Sequence, residues 1–299
     1  MRSARVPEPP LPPPLPPGRI VELPGRGEFF VRQSDAPFPG APVVLLLHGW
    51  TATADLNWFQ VYERLARVGQ VVAVDHRGHG RSLFSEEPFQ LEAAADDAAA
   101  CLDVLGIDSA VAVGYSMGGP IASLLAFRHP AKVDGVVLCA TAMEWHDKIG
   151  ERVLWKVMRG MQILFKLGPP RHLVERYLRR AIERTPELKA YRGWLVGELR
   201  RGDPIGTHEA GLALGRYDAR AFIGALEKPA ACVITTKDRL VPRKKQRALA
   251  AAVRPVKVVE VRADHDACLV KPVEFGNALV SAVTAVVDAG VSREAQVGA

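Results

Sequence analysis

The residues best placed to do chemistry are Ser116, Asp238 and His265. Ser116 stands in Gly114-Tyr115-Ser116-Met117-Gly118, after the β-branched run Val111 to Val113 and before a helical pattern from Pro120 to Arg128. A glycine two residues to either side permits a tight turn that sets the hydroxyl at a helix N-terminus. The Met117 amide N–H can then face the oxyanion formed when a carbonyl is attacked. The pentapeptide alone arises by chance; its flanking strand and helix are what single out Ser116 as a nucleophile. A serine hydroxyl also needs a base to take its proton and a third group to orient that base. Asp238 closes the run Cys232 to Asp238, and His265 follows the run Val256 to Val261, so both fall at strand ends. Asp264 and Asp266 flank His265 and remain alternative acids. They rank below Asp238 because adjacent side chains in an extended loop point different ways.

A second oxyanion donor is expected after the run Val43 to Leu47, which leads into His48-Gly49-Trp50-Thr51. Gly49 allows close backbone approach, so the Trp50 amide is the candidate, and His48 is read as a structural hydrogen-bonding residue. The second glycine-rich loop, Asp75-His76-Arg77-Gly78-His79-Gly80-Arg81-Ser82, lacks the residue order of a phosphate cradle. Its two histidines and aspartate have no further ligand at a metal-binding spacing, so no metal is expected.

These residues must be held by a scaffold, and the pattern supplies one. Short β-branched runs at Val43 to Leu47, Val71 to Val74, Val111 to Val113, Val136 to Leu138, Cys232 to Thr235 and Val256 to Val261 predict parallel strands buried on both faces. Helical patterns fall between them at Asp55 to Arg67, Leu91 to Leu105, Met117 to Arg128, Arg243 to Ala252 and Val273 to Val287. Ile20 to Leu23 and Phe29 to Arg32 predict an antiparallel hairpin around Pro24 to Gly27. The fold expected is a mostly parallel α/β sheet with helices on both faces, interrupted by a helical excursion from Ala142 to Lys228. That excursion is expected to act as a lid over the carboxyl ends of the strands. The core is thus divided into 19–141 and 229–289, with the lid at 142–228. A flexible tail is expected at 290–299. Residues 1–18, with eight prolines between Val6 and Pro17, predict a disordered polyproline-like tail.

With 299 residues, 48% of them hydrophobic and 24% charged, the chain can bury a sizeable core without staples. Its uninterrupted apolar runs are far shorter than the roughly 20 residues that cross a bilayer, so no transmembrane segment is expected. The proline-rich start is not a secretory signal of the usual form, and the scattered Cys101, Cys139, Cys232 and Cys268 read as reduced core residues. A cytoplasmic location is the expectation. The formal net charge of +6 sits wholly in Ala142 to Lys228, where 17 basic residues face 11 acidic ones, against 22 of each elsewhere. No nucleic-acid motif accompanies it, so no nucleic-acid partner is expected. Weak contact of the basic lid with anionic lipid stays a minor alternative.

His48-Gly49-Trp50, Asp75 to Ser82, Gly114 to Gly119, Asp238-Arg239-Leu240-Val241-Pro242 and His265 together resemble the α/β-hydrolase superfamily over Arg19 to Ala289. The resemblance implies an eight-stranded-type sheet, a lid inserted after the strand Val136 to Leu138, and no cofactor. It departs at Asp264, where relatives usually carry glycine. A serine at 116 argues against the branches with a carboxylate nucleophile. The leading expectation is a serine hydrolase of the esterase or lipase type, acting on small-molecule esters with apolar acyl groups. C–C bond hydrolysis, cofactor-free perhydrolysis of the haloperoxidase kind, and a low-turnover ligand receptor are the alternatives.

Overall fold

The computed structural model of the chain describes residues 11–85, 87–147, 149–160 and 171–297. Eight strands form one sheet: β1 (Gly18–Leu23), β2 (Gly27–Gln33), β3 (Val43–Leu47), β4 (Gln70–Val74), β5 (Ala110–Tyr115), β6 (Val133–Cys139), β7 (Ala230–Thr235) and β8 (Lys257–Val261). Their order is β1-β2-β4-β3-β5-β6-β7-β8. β2 runs antiparallel to both its neighbours and every other pairing is parallel. Alternation along each strand divides the core: Leu45 and Leu47 enter one apolar cluster, while Val44 and Leu46 enter the cluster on the opposite face. Both faces are buried, which is why these strands read as continuous apolar runs.

Among the described residues the α-helices are α1 (Ala54–Trp58), α2 (Tyr62–Leu65), α3 (Leu91–Val104), α4 (Gly118–Arg128), α5 (Ile149–Gly160), α6 (Arg171–Arg184), α7 (Arg192–Leu199), α8 (Pro204–Arg216), α9 (Arg243–Val253), α10 (Ala267–Val270) and α11 (Pro272–Val297). α3, α4 and α9 cover one face of the sheet, and α1, α2 and α11 the other. α5 to α8 lie in the insertion between β6 and β7.

Four expectations need amendment. The single helix over Asp55 to Arg67 is two short ones, because the Val61 N–H turns back to the Trp58 carbonyl and breaks the helical ladder while all of α1 is buried. Residues 11–17 are not a free tail. Proline lacks a donor but keeps its carbonyl, and Pro16 accepts from Arg32 Nη1 at 2.7 Å while Pro17 accepts from the Gln33 amide at 3.0 Å. Residues 1–10 lie outside the described residues. The last helix does not give way to a tail at 290. It continues to Val297 through Ser292-Arg293-Glu294-Ala295-Gln296, a run without proline or glycine. Finally, Pro272–Ser292 is long and apolar enough to span a bilayer, with a mean hydropathy of 1.4. Its Phe275, Leu279, Ala282, Val283 and Val286 are buried against the sheet, so its apolar character is that of a core helix.

The insertion is bolted to the loops at the carboxyl ends of β3 and β4. Trp50 Nε1 donates to the Thr207 carbonyl of α8 at 2.6 Å, and the Asp203 amide donates to Gly78 O at 3.2 Å. Buried Glu198 of α7 accepts from Arg81 Nη2 at 2.5 Å, Arg201 Nε at 2.7 Å and Thr53 Oγ1 at 3.1 Å.

Candidate active site

Ser116 sits in the turn from β5 to α4 with φ at +54°, a conformation that costs a residue with a Cβ about 1 kcal/mol or more. The turn is held on every side: the Ser116 amide donates to Cys139 O at 2.9 Å, and Thr141 Oγ1 donates to Ser116 O at 2.7 Å. Gly114 and Gly118 are required by close approach, since a Cβ at either would collide with backbone, that of Gly118 and Leu47 respectively.

The histidine and the acid arrive from the two strands on the far side of the sheet. Ser116 Oγ lies 3.0 Å from His265 Nε2, and His265 Nδ1 lies 2.8 Å from Asp238 Oδ2. With a carboxylate oxygen at Nδ1, the ring hydrogen belongs there and Nε2 offers its lone pair to the serine hydroxyl. This arrangement can withdraw the serine proton and return it to a leaving group. Asp238 is itself well held. Oδ1 accepts from the amides of Leu240 at 2.9 Å and Val241 at 2.7 Å, and Oδ2 accepts from Thr235 Oγ1 at 2.7 Å and Gln246 Nε2 at 3.2 Å.

Asp264, next to His265, is otherwise engaged. Asp264 accepts from the Arg239 amide at 3.0 Å, from Arg239 Nε at 2.6 Å and from the His265 amide at 2.9 Å. Burial pushes its carboxyl up, but these hydrogen bonds and the guanidinium outweigh it, leaving Asp264 below the usual carboxylate range. Asp266 is buried where α10 begins, and its carbonyl accepts from the Leu269 and Val270 amides.

The loop after β3 reaches the nucleophile. A Cβ on Gly49 would stand 3.3 Å from that of Ser116, which puts Trp50 one residue from the reacting oxygen. Among the described residues the amides of Trp50 and Met117 find no protein acceptor. Two unspent donors therefore lie close to Ser116 along the chain or across the loop, Met117 as its neighbour and Trp50 next to Gly49. The Gly49 amide is fixed by Asn57 Oδ1 at 2.9 Å.

His48 is a brace. Its Nε2 accepts from the His76 amide at 3.0 Å, so its hydrogen lies on Nδ1, which donates to Gly49 O at 2.8 Å. Burial first, then the neighbouring His76 and His79, hold His48 well below its ordinary value. The same desolvation lowers His76 to about 3 and His79 to about 4. Among the described residues no three His, Cys, Asp or Glu side chains are grouped to hold a metal ion. The four cysteines are buried free thiols, and burial raises those of Cys101, Cys232 and Cys268 to about 12.

Four supporting residues carry no sequence signal: Thr235, Gln246, Asn57 and Tyr115, whose hydroxyl donates to the His265 carbonyl at 2.7 Å. Each acts through a contact that no motif spells out.

A sheet of this order, a serine on a strained strand-to-helix turn and a histidine between it and an acid define a class, and residues 42–272 match the family described as alpha/beta hydrolase fold. The chain belongs to that family. It is 32% identical over 206 residues to a pimeloyl-[acyl-carrier protein] methyl ester esterase of Neisseria meningitidis, covering 67% of this chain and 76% of that protein. It is 32% identical over 216 residues to a monoacylglycerol lipase of Mycolicibacterium smegmatis, covering 67% and 71%. Its fold is similar to the crystal structure of the enol-lactonase from Burkholderia xenovorans LB400, with a TM-score of 0.77, 22% identity, and coverage of 89% of this chain and 100% of that one.

Proposed function

We propose that the protein is a serine hydrolase cleaving carboxylic esters of apolar acyl groups through an acyl-enzyme, with Ser116, His265 and Asp238 as its triad. The observation that carries this reading is the unbroken relay from Ser116 Oγ through His265 to Asp238, at 3.0 and 2.8 Å. Ser116 Oγ attacks the ester carbonyl carbon while His265 Nε2 takes the hydroxyl proton. The carbonyl oxygen becomes an oxyanion held by the Trp50 and Met117 amides. As the C–O bond to the alcohol breaks, His265 gives the proton to the leaving oxygen. Water then repeats the sequence on the acyl-enzyme and releases the acid. Asp238 keeps the hydrogen on Nδ1 and stabilises the imidazolium that forms in each half.

The names of the two relatives, a methyl ester esterase and a lipase, support an ester as the bond cleaved. Apolar acyl character is supported by the tryptophan-bearing insertion, whose Trp155 ring lies 6.3 Å from that of Trp50. A cytoplasmic setting is part of the same reading, in keeping with four cysteines held as separate buried thiols.

Intact-mass labelling with an alkyl fluorophosphonate, with peptide mapping and Ser116→Ala as control, tests the mechanism. One adduct, at Ser116, followed by turnover of esters that changes with acyl length, is the expected result. Ester turnover retained by Ser116→Ala, or cleavage of a ring-fission diketone in preference to every ester, would sink the reading. A flat response to acyl length would remove the apolar acyl preference.

A further inference from the structure

Helix α5 presents two different surfaces. Its inner side is built into the fold: Glu151 pairs with Lys245 at 2.7 Å, Trp155 Nε1 donates to Trp145 O at 2.6 Å, and the Trp155 ring lies over Gly215 of α8. Its outer side is an exposed apolar row. Ile149, Val153 and Val157 recur every four residues with Leu154 beside them, and they are 80%, 53%, 52% and 49% exposed respectively. Next to that row Arg152, Lys156 and Arg159 form a second, basic row, also exposed. A solvated helix face ordinarily carries its polar residues outward, so four aliphatic side chains turned to water call for a covering surface.

The charge beside the row says what kind. The geometry points to α5 as a docking helix for an anionic phospholipid surface, lying flat with Ile149, Val153, Leu154 and Val157 in the acyl boundary and Arg152, Lys156 and Arg159 among the headgroups. A second copy of the chain fits less well, because a two-fold contact through this stripe would bring the basic rows of both copies together. An acidic protein fits less well too, because charge pairing alone would leave Ile149, Val153, Leu154 and Val157 in water. Further cations stand on the same insertion, where Arg176, Arg179 and Arg180 of α6 are exposed while Leu178, Ala181 and Ile182 of that helix are buried. The insertion holds the chain's whole net charge of +6, which is the complement of an anionic bilayer. This inference rests on α5 and is independent of which ester the site accepts.

The test is co-sedimentation of the full chain with vesicles of phosphatidylcholine alone and of equal parts phosphatidylcholine and phosphatidylglycerol, at low and high salt. Binding is expected to the anionic vesicles only, to weaken with salt, and to fall about fivefold for each cation removed in Arg152→Gln and Lys156→Gln. Val153→Glu with Val157→Glu, at exposed positions that the fold tolerates, is expected to abolish it while hydrolysis of a short water-soluble ester stays unchanged. Absence of binding to anionic vesicles overturns the proposal, as does equal binding by the double glutamate variant. A dimer in size-exclusion chromatography that this variant makes monomeric would instead assign the stripe to a second copy. Loss of ester hydrolysis in the wild type with vesicle binding intact would count against the catalytic reading alone.

Discussion

Thr235 Oγ1 donates to Asp238 Oδ2 at 2.7 Å, the same carboxylate oxygen that lies 2.8 Å from His265 Nδ1. Gln246 backs this contact from α9, with Nε2 2.8 Å from Thr235 Oγ1 and Oε1 accepting from the Thr235 amide at 3.0 Å. All three side chains are buried, so the acid is oriented by neutral donors that water cannot replace. Thr235→Val keeps the shape and removes the donor. Turnover is expected to fall about tenfold or more, as a hydrogen bond to a charged group is worth roughly 1.5–3 kcal/mol, with little change in KM. Steady-state kinetics on one ester check it; an unchanged kcat would make Thr235 a packing residue only.

Asp238→Asn is expected to reduce kcat by roughly 10⁴, because an amide at this position stabilises the wrong histidine tautomer. Asp264→Asn is expected to stay within about fivefold, since its partner Arg239 is largely exposed and such ion pairs contribute at most ~1 kcal/mol. Parallel kinetics on the two variants decide between the acids. The reverse ranking would hand the role to Asp264.

The Trp50 ring, anchored to Thr207, packs on Gly211, where an added Cβ would sit 2.5 Å from Cζ2. Gly211→Ala must therefore displace the Trp50 ring, and with it the residue proposed to supply an oxyanion donor. An overpacking cost of about 1–3 kcal/mol is expected, together with slower turnover. Thermal unfolding and kcat measured on the same preparation separate the two effects; full activity would mean that the Trp50 backbone is set independently of its ring.

Acid should weaken the fold. His48, His76 and His79 are held neutral by burial, with His76 near 3 and His79 near 4, so unfolding takes up protons at these sites as pH falls through 6.5. A depressed histidine contributes stability that is present above its unfolded value and lost as pH falls toward the folded one. Asp75 opposes this. Burial raises it to about 6, so it favours the fold at low pH and loses that contribution between about 4 and 6. Three protons gained against one lost leave roughly two, or ~3 kcal/mol per pH unit in the steepest part of the window. Urea midpoints at pH 5 and pH 7 measure it, and equal midpoints would refute the account.

Much of this architecture was legible in one dimension. Val43–Leu47 was read with its observed ends, because a parallel strand covered on both faces needs an unbroken apolar run. Ser116 stood out because its turn demands glycine at 114 and 118, and that demand is written locally. The period over Asp55 to Arg67 predicts one helix because the break between α1 and α2 depends on where Trp58 and Phe59 find their pockets, which no local period records. The ordering of Pro16 and Pro17 is not legible in the sequence, because proline's missing donor is a local property whereas its carbonyls' acceptance from Arg32 and Gln33 is not.

The order of strands and helices, the strained turn at Ser116 and the presence of an acid and a histidine at later strand ends are all written in the residue pattern. Each follows from periodicity or from a steric requirement within a few residues. That Asp238 rather than Asp264 faces His265, that Thr235 and Gln246 hold it, and that α5 turns an aliphatic row outward emerge only from the packed chain. Those outcomes depend on directions set by packing between segments far apart in the chain: 149 residues separate Ser116 from the ring nitrogen 3.0 Å from its hydroxyl.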